Sequence, residues 1–313
     1  MGSHFRVENK TYEYTTFPRE FITYKWFKPL LVIILTALLM SILQSVITVI
    51  DTLWLGDFSS VMASIDRSNP AFFEGPGILL AIGGIAAILP ALFIATKIVR
   101  DRPFSSYSSS RGGWNWGAFA KCLVVALVVC GSIIVGEAFL MPDEGADGVN
   151  RFNTLGLVLC LILVPIQATA EEYAYRGLLM QTIGSWTKLP VLAMLLSAIF
   201  FAVSHSYGLW GILSVFCHGL GFAYLTRYSK GLEASSCAHI VNNMTVFILN
   251  GFGFASSAEG GVESFVVTFV MIVIYCVAIV LLDKRFGWFT SQGDGAFEFN
   301  EKYREKMMSK QQR

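Results

Sequence analysis

The sequence predicts an all-α, polytopic membrane protein with about eight transmembrane helices around an intramembrane cavity. Three observations predict it. Of 313 residues, 54% are hydrophobic and only 14% are charged, whereas a soluble domain carries about 25% charged residues. The apolar residues gather into blocks long enough for helices across about 30 Å of hydrocarbon. Finally, Glu171, Glu172 and Arg176 follow directly on the apolar run 155–170. An ionisable side chain at mid-bilayer costs about 2.5–3.5 kcal/mol by insertion scales, so such a group marks a functional site by default.

Residues 1–29 form an aromatic and charged tail that ends Tyr24-Lys25-Trp26-Phe27-Lys28-Pro29, the composition of an interfacial anchor. A tail of nearly thirty mixed-charge residues ahead of the first apolar run leaves no cleavable signal peptide expected. Arg6 stands where a myristoylated Gly2 would want Ser or Thr. The membrane domain is expected over 30–284, with spans at 30–50, 76–98, 118–140, 155–184, 190–205, 209–227, 233–251 and 263–282. Of these, 155–184 is overlong and 190–205 short for a bilayer. Residues 285–313 read as a solvated, charged cytoplasmic tail, with a short surface helix as the alternative. No internal repeat or second globular domain is evident.

Charge fixes the expected orientation. Arg6, Lys10, Arg19, Lys25 and Lys28 precede the first span, and Lys97, Arg100, Arg102, Arg111 and Lys121 lie between the second and third. Lys188, Arg227, Lys230 and the seven cations from Lys284 to Arg313 continue the alternation. The intervening connections hold only Arg67 and Arg151, beside Asp51, Asp57, Asp66, Glu74, Asp143, Glu144 and Asp147. This pattern places both termini in the cytoplasm. A net charge of +1 provides no global field for nucleic acid. The six cysteines lie in or beside apolar spans with no C-x-x-C pair, and read as packed thiols.

Helical spacing sorts the polar residues. Glu172 and Arg176 are four apart with the acid first, the favourable order for a pair on one face. Glu171 points about a hundred degrees away and has no partner at helical spacing. Phe201 and His205 close the short segment, and His239 and Asn243 project from one face of the seventh. At about 1.5 Å per residue, Glu171, His205, His239 and Asn243 reach overlapping depths in the membrane. His218, beside Gly219 and Gly221, reads as a packed interhelical hydrogen-bonder, and His4 belongs to the tail.

The ordered trio Glu171-Glu172-Tyr173-Ala174-Tyr175-Arg176, Phe201 to His205 and His239 to Asn243 resembles the CAAX-protease and bacteriocin-processing family (CPBP, or Abi). These intramembrane endopeptidases include the Ras-converting CAAX prenyl endopeptidase. The resemblance covers about 155–250, and the basic connection 100–117 is similar more loosely. It implies a hydrolase in which Glu171, with His205, deprotonates a water, while His239 and Asn243 donate hydrogen bonds to the tetrahedral oxyanion. Glu172, Arg176 and Phe201 would support them. The implied partners are a peptide or membrane-protein substrate and the lipid bilayer. The family has been described both as metalloproteases and as glutamate proteases; a form that requires no cofactor is favoured, with zinc as the alternative.

A zinc-dependent version of the same protease is the first alternative, with Glu171, His205 and His239 as ligands and an open water position. There is no H-E-x-x-H motif, and an asparagine is a poor zinc ligand but a good oxyanion donor, so the metal-independent form is favoured. An ion-coupled transporter would use the same acid and histidines as a relay, yet the chain lacks the repeated halves of many transporters. A non-catalytic bacteriocin-immunity or scaffold protein is the remaining reading. The residues do not specify a substrate.

Overall fold

The computed structural model describes residues 12–66, 69–142, 145–255 and 260–311. Gly2, His4, Arg6, Lys10, Arg67, Asp143, Glu144 and Arg313 lie outside these segments. Eight helices stand at the eight expected positions: α1 Lys28–Leu55, α2 Pro76–Val99, α3 Trp116–Leu140, α4 Thr154–Thr187, α5 Pro190–Val203, α6 Leu209–Ser229, α7 Glu233–Gly251 and α8 Val262–Phe286. Among the described residues there is no strand, only an isolated antiparallel bridge between Ser109 and Gly231.

Six of the eight helices are long and apolar enough to cross a membrane; α5 and α7 are not. The 14 residues of α5 reach only about 21 Å. The shortfall in α7 is one of polarity, and packing accounts for it. Every residue from Glu233 to His239 is buried, because α3, α4 and α6 pack around this helix. A helix enclosed by protein can carry serines, asparagines and a histidine that a lipid-facing helix would not. By contrast α1 turns Leu31, Ile34, Leu38, Ile42, Val46 and Val49 outward, a lipid-facing stripe at helical period.

Helix boundaries follow local chemistry. Pro29, Pro76 and Pro190 open α1, α2 and α5, where a missing N–H is harmless. Asn153 caps α4 by accepting from the Gly156 N–H at 2.7 Å. Arg100, Lys188 and Lys230 close α2, α4 and α6 with left-handed φ of 53°, 60° and 58°. That conformation costs a non-glycine residue about 1–2 kcal/mol, and a cation at a helix C-terminus offsets part of this through the helix dipole. Within α4, residues Tyr173–Met180 widen into a π-helical stretch, a distortion that often accompanies function.

One face of the bundle is built from the terminal segments. Tyr14 donates to the Tyr107 carbonyl at 2.7 Å, and Arg19 to the Ser185 carbonyl at 2.9 Å. Trp186 Nε1 donates to the Trp26 carbonyl at 2.8 Å, and Trp26 and Phe27, just ahead of α1, are both exposed. Of the two forms open to the C-terminal tail, the structure shows the surface helix and not an unstructured charged tail: Gly295–Gln311 forms α9. Its Ala296 and Phe299 pack on Tyr12, Phe17 and Phe21, and Tyr12 donates to Asp294 at 2.8 Å. Buried apolar contacts at one end of α9 anchor an otherwise charged helix, and they place both terminal segments on one face. The connection 100–117 lies against the same face with Asp101, Arg102, Tyr107 and Arg111 buried.

Candidate functional site

The site forms where α4, α5, α6 and α7 meet. Glu171 and Glu172 are the last residues of regular α-helix before the π stretch. Glu172 and Arg176 form the expected pair, with Arg176 donating to Glu172 Oε1 at 2.8 Å and both side chains fully buried. The guanidinium also donates to the Gly219 carbonyl of α6 at 3.1 Å. It lies over the Phe201 ring at 4.5 Å and near Phe222 at 5.4 Å, so aromatic faces replace lost hydration.

Two features differ from the spacing-based reading. First, Glu172 does more than neutralise Arg176, since the same Oε1 accepts from His239 Nδ1 at 2.9 Å. Second, Glu171 is not without a neighbour. His239 Nε2 lies 3.2 Å from Glu171 Oε2, a charge contact in which that buried oxygen has no aligned hydrogen bond. Both nitrogens of His239 therefore face carboxylates from consecutive residues of α4. Local spacing could not reveal this, because it depends on how α7 is rotated against α4.

Phe201 organises both histidines. Its ring meets His205 edge-on at 5.0 Å and His239 at 5.7 Å. The Nδ1 of His205 bonds the Phe201 carbonyl at 2.8 Å; since a carbonyl can only accept, Nδ1 carries the proton and Nε2 is left as an acceptor. Asn243 Nδ2 donates to Gln167 Oε1 at 3.1 Å, and its Oδ1 accepts from Asn242 at 3.1 Å. Gln167, one turn before Glu171 and buried, was not singled out in the sequence; an amide four residues ahead of the key acid was the available signal.

Glu171, His205, His239 and Asn243 thus line one cavity of about 360 Å³, together with Gln167 and His218. The sequence-based reading of His218 as an interhelical hydrogen-bonder is corrected. Its ring bonds the backbone of Ser214, one turn earlier in its own helix, and its buried Nε2 has no hydrogen-bond partner. The i−4 carbonyl of a helix is within easy reach of a histidine Nδ1, as at His205, which frees the other nitrogen for the cavity. All six cysteines are free thiols. Among the described residues no three His, Cys, Asp or Glu side chains are grouped to hold a metal ion.

Residues 153–245 match the family described as Type II CAAX prenyl endopeptidase Rce1-like. The segment that builds the site is Rce1-like. That is the family the three motifs resemble, and the match contains every motif residue from Glu171 to Asn243. The chain is also similar to "Uncharacterized protein YyaK" of Bacillus subtilis (strain 168), 30% identical over 189 residues. That similarity covers 56% of this chain and 61% of the relative, less than two thirds of its length. No solved structure matches the chain. With its apolar helices, the chain is an all-α integral membrane protein, and its residues 153–245 are similar to a membrane-protease family.

Proposed function

We propose that this chain is an intramembrane endopeptidase that hydrolyses a peptide bond with a water activated by Glu171 and His205. The observation that carries the proposal is the convergence of Glu171 from α4, His205 from the turn after α5, and His239 and Asn243 from α7 on one cavity with a buried inner end. Glu171 lines the cavity, and its Oε2 has only the 3.2 Å charge contact with His239 Nε2 and no aligned hydrogen bond, which leaves it able to take the water's proton. His205, oriented by the Phe201 carbonyl, offers Nε2 to the same water.

In this mechanism the water oxygen attacks the scissile carbonyl carbon as its proton passes to Glu171. The negative charge then forms on the carbonyl oxygen. Asn243 donates its second N–H to that oxygen, the first being held by Gln167. His239 contributes Nε2–H, with its Nδ1–H anchored on Glu172 and its charge offset by the two carboxylates. Collapse breaks the C–N bond, and the proton held by Glu171 goes to the leaving amine. Donors fixed in advance in a water-poor site stabilise such charge strongly, and losing one costs about 10²–10³ in rate. The mechanism runs through side chains alone, and both termini are cytoplasmic.

The test is cleavage of model membrane peptides by purified, reconstituted protein. Glu171→Gln and His205→Ala should each lower turnover by about 10² or more, and strong chelation should leave the parent active. Equal cleavage by the parent and Glu171→Gln would refute the proposal. One tightly bound zinc whose removal abolishes cleavage would replace this mechanism with the zinc form on Glu171, His205 and His239.

A further inference from the structure

The cavity has two unlike ends. Its inner end is tightly enclosed, with Glu171 6%, His239 4% and Phe222 1% exposed. Its outer end is lined by Tyr207 between α5 and α6, Gly211 in the first turn of α6, Asn250 in the last turn of α7, and Gly260 and Ser264 at the start of α8. Tyr207 is 37% exposed. Asn250 stands eleven residues beyond His239, about 16 Å along the helix. Asn250 remains buried at 6%, while the exposed lining residues Tyr207 and Gly260 both stand at this set of helix ends.

Those ends lie on the face opposite the chain termini. The α4–α5 and α6–α7 connections are on the terminal face: Ser185 is held by Arg19, and the Lys230 carbonyl accepts from the Ser110 N–H at 3.0 Å. Beneath the site, that face is closed by packed polar groups. Arg111 pairs with Glu233 at 2.7 Å, and Arg102 stacks on Tyr107 at 3.6 Å while bonding Gln181. All of these side chains are buried.

Charge distinguishes the two faces. Lys25, Arg100, Lys188, Lys230, Lys284 and Arg285 all belong to the terminal face, whereas Arg151 is the sole cation of the opposite connections among the described residues. The excess of Lys and Arg in short connections marks the cytoplasmic side. The lining has its own chemistry: Asn242, Asn243 and Asn250 supply amides, and Ser214, Ser264 and Thr268 supply hydroxyls, with no Lys or Arg among the lining residues. Side-chain amides both donate and accept, which matches a peptide backbone. A free C-terminal carboxylate in the same space would meet no Lys or Arg, and His239 is already held between Glu171 and Glu172.

We infer that the cavity takes an uncharged, extended peptide segment presented from the extracytoplasmic side, with the substrate's charged ends left outside. The inference rests on the protease reading. It sets the site apart from one built to take a cytoplasmic C-terminal tail with its carboxylate.

Two measurements test it. Tyr207→Cys and Lys25→Cys variants are treated with a membrane-impermeant maleimide in intact cells and in inside-out vesicles, with the parent as background for the native cysteines. The expected result is labelling of Tyr207→Cys at least about tenfold above the parent in intact cells, and of Lys25→Cys only in inside-out vesicles. Labelling of Tyr207→Cys only in inside-out vesicles, or from neither side, overturns the inference. In the second measurement, a neutral peptide blocked at both ends and its free-carboxylate counterpart, cut near the C-terminus, are offered to each side, with Glu171→Gln as control. Cleavage of the blocked peptide from the cell exterior is expected. Glu171-dependent cleavage confined to the cytoplasmic side, or preference for the free carboxylate, overturns the inference and leaves the protease reading intact. Exterior labelling without cleavage from either side overturns the protease reading, and the substrate half of the inference falls with it.

Discussion

Arg176→Met examines the network that holds the site together. Arg176 is fully buried, bonded to Glu172 at 2.8 Å and to the Gly219 carbonyl at 3.1 Å, with its guanidinium between Phe201 and Phe222. Methionine keeps the stem and removes the charge and donors. Breaking a buried pair from one side costs about 3–5 kcal/mol, because the surviving charge is stranded. Glu172 keeps one partner, His239 Nδ1 at 2.9 Å, which puts the expected loss at the lower end, about 3 kcal/mol. At about 2–4 °C per kcal/mol, the unfolding midpoint should fall by about 6–12 °C.

The assay is thermal unfolding of purified protein in detergent, followed by intrinsic fluorescence. A paired variant, Glu172→Gln with Arg176→Met, removes both charges and should recover more than half of the loss, since no carboxylate is then left beside an apolar side chain. Arg176→Lys should behave like a partial loss, because a point ammonium cannot reproduce the two-directional bonding and ring stacking of the guanidinium. A single variant within about 0.5 kcal/mol of the parent, the range of an ordinary surface substitution, would refute the reasoning. So would a double variant no more stable than the single one.

Three further outcomes are expected. Gln167→Leu should lower turnover by about tenfold or more with little change in KM, since it frees the Asn243 amide that in the proposed mechanism acts only on the developing charge; an equal rise in KM would argue against this. Gly219→Ala should destabilise by about 1–3 kcal/mol and depress cleavage, because a Cβ there would meet Ala198 Cα at 3.1 Å and Phe201 Cδ1 at 3.2 Å. Unchanged unfolding and activity would show that Phe201 has room to move. His218→Leu should leave the unfolding midpoint unchanged or raised, since Nε2 is buried without a partner, yet lower cleavage about two- to tenfold by removing one substrate hydrogen bond. A large fall in stability with full activity would restore the role of His218 as a packing residue.

Much of the fold is readable in the linear chain because helix-forming apolar runs are local. The proline starts at Pro29, Pro76 and Pro190 and the runs behind them place α1, α2 and α5 within a few residues. The Glu172–Arg176 pair also follows from spacing, since four residues bring two side chains together on any helix. The same logic fails at α7, where enclosure by three neighbouring helices, not composition, makes a polar helix acceptable. It fails again at α9, whose few apolar residues matter only because Phe17 and Phe21 wait on the other terminal segment.

By itself the sequence determined that this is a helical membrane protein, and it singled out the residues that lie at unfavourable positions for lipid: Glu171, Glu172, Arg176, His205, His239 and Asn243. A charge in an apolar run is conspicuous because its solvation cost is a property of its immediate neighbours. Only the tertiary structure decided how they meet: His239 between two consecutive carboxylates, Gln167 behind Asn243, and His218 turned into the same cavity. It also put Tyr207 and Gly260, the exposed residues of the cavity lining, among the helix ends away from the termini. These arrangements depend on the rotation and depth of one helix against another, which spacing within a single helix cannot specify.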